Sequence, residues 1–236
     1  MTPTPAELYR ALHRGSPGDL SFYRQACEGA EHILELGCGY GRLVQALAQP
    51  GRQIIGLDQD EDLLKLAART ESNQAELRWV CGDMCALDLE ERFDRILLAF
   101  NTFYCVPQEQ KRPLLESIYR HLRPGGHFIM DAYSVSQSEF SGIEQFCPPE
   151  PIVTLSLEAG VIDVFEDSQE DYDRKTIQVT YGFYAGQLKV GSQSIQHAYW
   201  YDHEFQPALK DCGFESVAQT LGFGAELTQV VITARR

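Results

Sequence analysis

The run Ile33-Leu34-Glu35-Leu36-Gly37-Cys38-Gly39-Tyr40-Gly41-Arg42-Leu43 constrains the fold of this chain more than any other stretch. A short apolar segment has the composition of a buried strand. Three glycines at alternate positions break it, and a helical pattern starts at Arg42. A strand that turns through glycines into a helix N-terminus presents backbone N–H groups to a ligand, with no side chains in the way. The spacing departs from the Gly-x-Gly-x-x-Gly of dinucleotide-binding turns, because Arg42 occupies the position of the third glycine.

Around this run the chain alternates strand and helix patterns. Strands are expected at 32–36, 53–57, 77–81, 95–100 and 127–132, with helices at 42–48, 61–70 and 112–122. That rhythm predicts a parallel sheet with helices on both faces. Helical patterns also precede it, with a Gly15-Ser16-Pro17-Gly18 break and Asp19 as the expected N-cap of the second helix. Segments 161–166, 176–184 and 188–201 then alternate at period two, which predicts a three-stranded antiparallel meander. Pro148-Pro149-Glu150-Pro151 reads as the hinge before it. A helix near 202–212 and strands near 215–221 and 228–233 close the chain.

Composition narrows the partners. The 236 residues carry 20 Lys+Arg against 34 Asp+Glu, a net charge of −14. Such a surface repels phosphate backbones and anionic membranes, so neither nucleic acid nor membrane is an expected partner, and a small-molecule substrate is. The start lacks a basic, apolar leader, and no uncharged apolar run approaches the ~18 residues of a membrane span. The 7 cysteines are scattered, several within strand patterns, as reduced thiols of a cytoplasmic protein would be. Cys81 and Cys85 lack a second pair or a suitable histidine, so no metal site is expected.

In an open parallel sheet, ligands sit at the carboxyl ends of the strands. Strand one ends in Glu35-Leu-Gly37-Cys38-Gly39, and strand two ends in Asp58, followed by Gln59. A carboxylate at the second position can accept two hydrogen bonds from a ribose diol, and it also suits the N-cap of helix 61–70. Strand three ends in Gly82-Asp83-Met84, where a carboxylate and a flexible thioether suit an adenine; Asp83 also suits a plain turn. Strand four ends in Phe100-Asn101-Thr102-Phe103-Tyr104 and strand five in Asp131-Ala132-Tyr133.

Taken jointly, Glu35-Leu-Gly-Cys-Gly-Tyr-Gly41, Asp58, Gly82-Asp83-Met84, Phe93-Asp-Arg-Ile-Leu-Leu-Ala-Phe100 and Leu122-Arg-Pro-Gly-Gly126 resemble a class I S-adenosylmethionine-dependent methyltransferase over residues 32–132. The resemblance implies an α/β fold: a Rossmann-like seven-stranded sheet with one antiparallel strand, here carrying the inserted meander. It implies S-adenosyl-L-methionine as cofactor, with Gly37, Cys38 and Gly39 near its methionine part. Asp58 would hold the ribose, Asp83 would meet the adenine, and Met84 would pack beside it. Glu35 would steady the glycine loop or the cofactor's amino group. Tyr9, Gln59 and Phe100 complete the implied cofactor set. The expected organisation is a helical cover over 1–30, a cofactor-binding core over 31–147, the meander over 148–201 as lid or dimer surface, and a closing helix and hairpin over 202–236.

A looser resemblance, carried by Tyr9, His13, Gly15, Asp19-Leu-Ser-Phe-Tyr23 and the meander, points to sugar-amine and small-metabolite N-methyltransferases. It implies a small-molecule amine acceptor in preference to a hydroxyl, and a homodimer as one role for the meander. An O-methyltransferase and a non-catalytic cofactor-binding protein are the alternatives. The acceptor needs a free lone pair, so the candidate catalytic residues are His13 and His197 as bases and Tyr133, which with Tyr104 and Asp131 forms the polar lining. Asn101-Thr-Phe-Tyr104 lacks both prolines of the Asn-Pro-Pro-Tyr loop used on nucleic-acid amino groups, which argues against that substrate.

Overall fold

A computed structural model describes residues 2–69, 75–136, 145–223 and 228–236. In chain order the first half comprises helices α1 (Pro5–Leu12) and α2 (Asp19–Ala26), strand β1 (His32–Leu36), α3 (Arg42–Leu47), β2 (Gln53–Asp58), α4 (Glu61–Ala68), β3 (Glu76–Cys81) and β4 (Phe93–Leu98). Then come α5 (Gln108–His121), β5 (Leu122–Tyr133), β6 (Gln145–Leu157), β7 (Gly160–Asp171), β8 (Thr176–Ala185), β9 (Leu188–Ala198), α6 (Phe205–Asp211), β10 (Ser216–Leu221) and β11 (Gln229–Arg235). The chain divides into two compact units. The larger holds residues 15–134 and 201–236, the smaller 1–14 and 135–200.

The larger unit is built on a seven-stranded sheet in the order β10-β11-β5-β4-β1-β2-β3. Strands β1 to β5 pair in parallel, while β11 runs antiparallel to both β5 and β10. This is the expected class I arrangement with its closing hairpin. The central strands are mostly apolar because both faces are covered, with Glu35 in β1 and Asp94 and Arg95 in β4 as the charged exceptions. Ile33, Leu34 and Leu36 of β1 and Ile96, Leu97 and Leu98 of β4 have no exposed surface. Tyr23 from α2, Cys27 just beyond its end, and Leu43 and Val44 from α3 pack on one face with Ile54, Leu97 and Ile129. Arg52 anchors the opposite end of that layer, its guanidinium donating to the carbonyls of Cys27, Ala30 and Leu47. No helix among the described residues is long and apolar enough to cross a membrane.

Asp19 does not cap α2. Gly18 does, in a left-handed conformation at φ 86°, and Asp19 is the first helical residue, turned inward. Strand β4 also stops earlier than the pattern predicts. Phe100 and Asn101 both take positive φ, 56° and 62°, which ends extended structure two residues beyond Leu98.

The smaller unit is a four-stranded antiparallel sheet in the order β6-β7-β8-β9, one strand more than the expected meander. The additional strand, β6, runs through Pro148, Pro149 and Pro151, the stretch read as a hinge. Proline lacks the N–H that a central strand needs, but β6 is an edge strand, and its register shifts twice where the prolines fall. Helix α1 belongs with this sheet. Thr4 and Glu7 form a capping box at its start, and Leu8 and Ala11 pack with Leu155, Ile162, Val164 and Phe183.

Candidate functional site

In the larger unit the carboxyl ends of β1 to β5 share one edge of the sheet. The glycine turn leaves β1 there. Gly37, Gly39 and Gly41 all lie at positive φ (67°, 54° and 77°), which explains their alternate spacing: each second residue is one that only glycine enters without strain. A Cβ on Gly37 would stand 2.4 Å from the Thr102 methyl and 3.5 Å from Met84 Cε, so the turn threads between the loops after β3 and β4. A Cβ on Gly41 would meet the Trp79 ring at 2.4 Å.

Asp58 gathers this edge together. One carboxylate oxygen accepts the Gly39 N–H at 2.7 Å and the other accepts the Asp60 N–H at 2.9 Å. Its carbonyl accepts the Gly82 N–H at 2.9 Å, and Cys38 N–H donates to the neighbouring Leu57 carbonyl. The N-cap of α4 is Asp60, which accepts from Asp62 and Leu63. Asp58 is therefore not needed as a cap, and its carboxylate keeps lone pairs beyond those two N–H groups. Burial raises its pKa, partly offset by those hydrogen bonds. Asp83 is exposed and begins a short helical turn by accepting the Cys85 N–H at 2.8 Å. Gln59 is exposed, and Phe100 is half-buried against the α2–α3 core layer.

Glu35 is 5% exposed and accepts the Val44 N–H at 3.1 Å, tying β1 to α3. Burial pushes its pKa up to about 8, against the opposing pull of Arg42. Arg42 itself donates to both oxygens of buried Asp19, at 3.1 and 2.6 Å. The Gly15 turn wraps this guanidinium so closely that a Cβ there would lie 2.3 Å from it. The residue in place of a third glycine is thus the ionic anchor of the segment preceding β1.

The loop after β4 is held from three sides. Asp131 Oδ1 accepts the Phe100 N–H at 3.0 Å and the Tyr23 hydroxyl at 2.6 Å. Asn101 Oδ1 accepts the Tyr133 N–H at 2.7 Å, while the Tyr104 hydroxyl donates to the Tyr133 carbonyl. From α5, fully buried Lys111 donates to the Phe103 carbonyl, with its Nζ 4.0 Å from the centre of the Phe103 ring. Burial brings the Lys111 pKa down to about 7. The sequence pattern does not announce the contacts of Lys111 or the Arg42–Asp19 pair. The one signal for the pair was an arginine directly after a glycine turn.

The remaining candidates lie in the smaller unit, where Tyr9, His13 and His197 come together. His13 lies 4.3 Å from the Tyr9 ring and 5.4 Å from that of Tyr181. Burial, and next the charge of His197, lower the His13 pKa to about 4. At neutral pH His13 is therefore an uncharged hydrogen-bonding group and a poor proton acceptor. His197 pairs with Ile177 across the β8–β9 ladder.

The larger unit's edge suits a ligand with hydroxyls and positive charge: a glycine cradle whose space a Cβ would fill, carboxylates with acceptor capacity left, and a thioether beside them. S-adenosylmethionine has that chemistry. Residues 33–126 match the family model described as a methyltransferase domain. The cypemycin N-terminal methyltransferase of a Streptomyces species is 32% identical over 111 residues, covering 47% of this chain and 45% of the relative. A ubiquinone biosynthesis O-methyltransferase of Coxiella burnetii is 30% identical over 125 residues, 52% of each chain. The chain thus spans about half the length of these relatives. Among solved structures, the CcbJ methyltransferase from Streptomyces caelestis superposes with a TM-score of 0.76 at 24% identity, covering 94% of this chain and 96% of its own. The sugar N-methyltransferase KedS8 from Streptoalloteichus gives 0.76 at 16% identity, covering 100% and 94%.

Proposed function

We propose that the protein transfers a methyl group from S-adenosylmethionine to an amine of a small molecule, a reading supported by the match of residues 33–126 to a methyltransferase domain. The observation that carries this reading is Asp58, which joins the glycine turn to the ends of β2 and β3 while keeping acceptor capacity for a diol. When bound, the cofactor supplies a methyl group already activated on a sulfonium. The protein's part is alignment and exclusion of water. Gly37, Cys38 and Gly39 present backbone to the cofactor's methionine part, and Glu35 faces its amino group. Asp58 accepts from the ribose, Asp83 from the adenine amino group, and Met84, Gln59 and Phe100 border the rings.

The preference for an amine rests on the likeness to N-methyltransferases and is supported by the state of His13. With a pKa of about 4, His13 cannot deprotonate a hydroxyl at neutral pH, whereas an amine that arrives neutral needs no base. His13 and His197 then serve as hydrogen-bonding groups for the acceptor, and Tyr133 lines the end of β5. A cytoplasmic location and a homodimer accompany this reading. The test is transfer of a labelled methyl group to panels of small amines and of hydroxylated metabolites. Label on an amine supports the proposal, label confined to oxygen overturns the amine assignment, and label on neither supports a binding protein without turnover.

A further inference from the structure

The cation that acts on the carboxyl groups around the end of β5 is Arg42, and it is held by a third carboxylate, Asp19. Asp131, on β5, is 1% exposed. Its Oδ1 takes the Tyr23 hydroxyl and the Phe100 N–H, while its Oδ2 is buried and has no hydrogen-bond partner among the described residues. The charged groups that act on it are Asp19 from α2 and Arg42 from α3, and Asp131 in turn acts on Glu35 of β1. Both terminal nitrogens of Arg42 are already engaged by the two oxygens of Asp19. That pair is neutral as a whole, so Asp131 and Glu35 remain without a dedicated cation.

We propose that Asp131, oriented by the Tyr23 hydroxyl, is a buried counter-charge that makes the donor site prefer the cationic sulfonium ligand over the uncharged thioether product. The inference rests on the S-adenosylmethionine reading of the site. The two ligands share adenosine, carboxylate and amino group, and they differ by the methyl and the positive charge on sulfur. A carboxylate held in a low-dielectric interior distinguishes them by charge without touching either. Transfer removes that charge, so the same carboxylate weakens the hold on the spent product and favours its exchange for fresh donor. Burial raises the Asp131 pKa to about 6, with the Tyr23 and Phe100 hydrogen bonds opposing the rise. The counter-charge therefore develops as pH increases from 5 to 7, below the titration of Glu35 at about 8.

The test is calorimetric binding of S-adenosylmethionine and S-adenosylhomocysteine to the wild type, Asp131→Asn and Tyr23→Phe at pH 5, 6 and 7. In the wild type the ratio of the two affinities should shift towards the sulfonium by about five- to tenfold between pH 5 and 7. D131N, whose amide oxygen can still accept from Tyr23, should show a lower and pH-independent ratio. Y23F keeps the carboxylate but loses a hydrogen bond that favours its ionised form, so its transition should move to higher pH. It serves as the independent variant if D131N does not fold. A wild-type ratio that is constant with pH, or a D131N ratio that keeps the wild-type rise, overturns the inference while leaving the cofactor assignment intact. Failure of both ligands to bind the wild type overturns the cofactor assignment itself, and this inference with it.

Discussion

Replacing Gly37 by alanine is the sharpest perturbation of the glycine turn, because two separate costs can be distinguished there. The residue sits at φ 67°, where a Cβ costs about 1 kcal/mol through local sterics. The same Cβ would lie 2.4 Å from the Thr102 methyl, a contact that must be relieved by moving the loop after β4. Overpacking of this kind costs about 1–3 kcal/mol, so Gly37→Ala should destabilise the fold by about 2–4 kcal/mol. The second cost can be removed alone. Thr102→Ser deletes the clashing methyl but retains the hydroxyl, which donates to the Ala99 carbonyl at 2.6 Å. Urea denaturation of the wild type, both single variants and the double variant then gives a coupling energy. The double variant should recover about 1–2 kcal/mol of the loss and keep the conformational remainder. A G37A protein as stable as the wild type would refute the left-handed turn. A full loss with no recovery in the T102S background would refute the close approach of the two loops.

Two pH effects of opposite sign should follow from buried groups in the same unit. Lys111 binds its proton up to pH 10.5 when unfolded but releases it near 7 when folded, so stability should rise with pH across that window. Lys111→Met should abolish the rise in a series of denaturation midpoints, and a variant that keeps it would remove the assigned cause. Glu35 binds its proton up to about pH 8 in the fold against 4.5 when unfolded, so ligand-free stability should fall as pH increases between those values. Glu35→Gln should flatten the fall, and an unchanged slope would show that Glu35 does not titrate as argued.

Much of the larger unit was legible because its signals are local and repeated. Apolar runs, glycine punctuation and amphipathic helices recur in one order, and the closing hairpin follows from period-two alternation. Asp58 and the three glycines were legible for the same reason, since each lies at a strand end fixed by that rhythm. What escaped were interactions between distant segments. Arg42 meets Asp19 across 23 residues, and Tyr23 meets Asp131 across 108, with no periodicity to announce either. Strand β6 was hidden by its prolines, whose usual meaning is reversed at a sheet edge. Lys111 lies just before the expected helix 112–122, where no pattern marks it, and the tertiary packing of the longer α5 buries it.

The most direct test of the central claim is calorimetric titration of the purified protein with S-adenosylmethionine and, separately, with NAD, on the wild type and Asp58→Ala. The account predicts saturable, single-site binding of S-adenosylmethionine, weakened at least about tenfold in D58A by loss of the charge-assisted ribose contact, and no binding of NAD. Binding of NAD alone, or S-adenosylmethionine affinity that is unchanged in D58A, would contradict it.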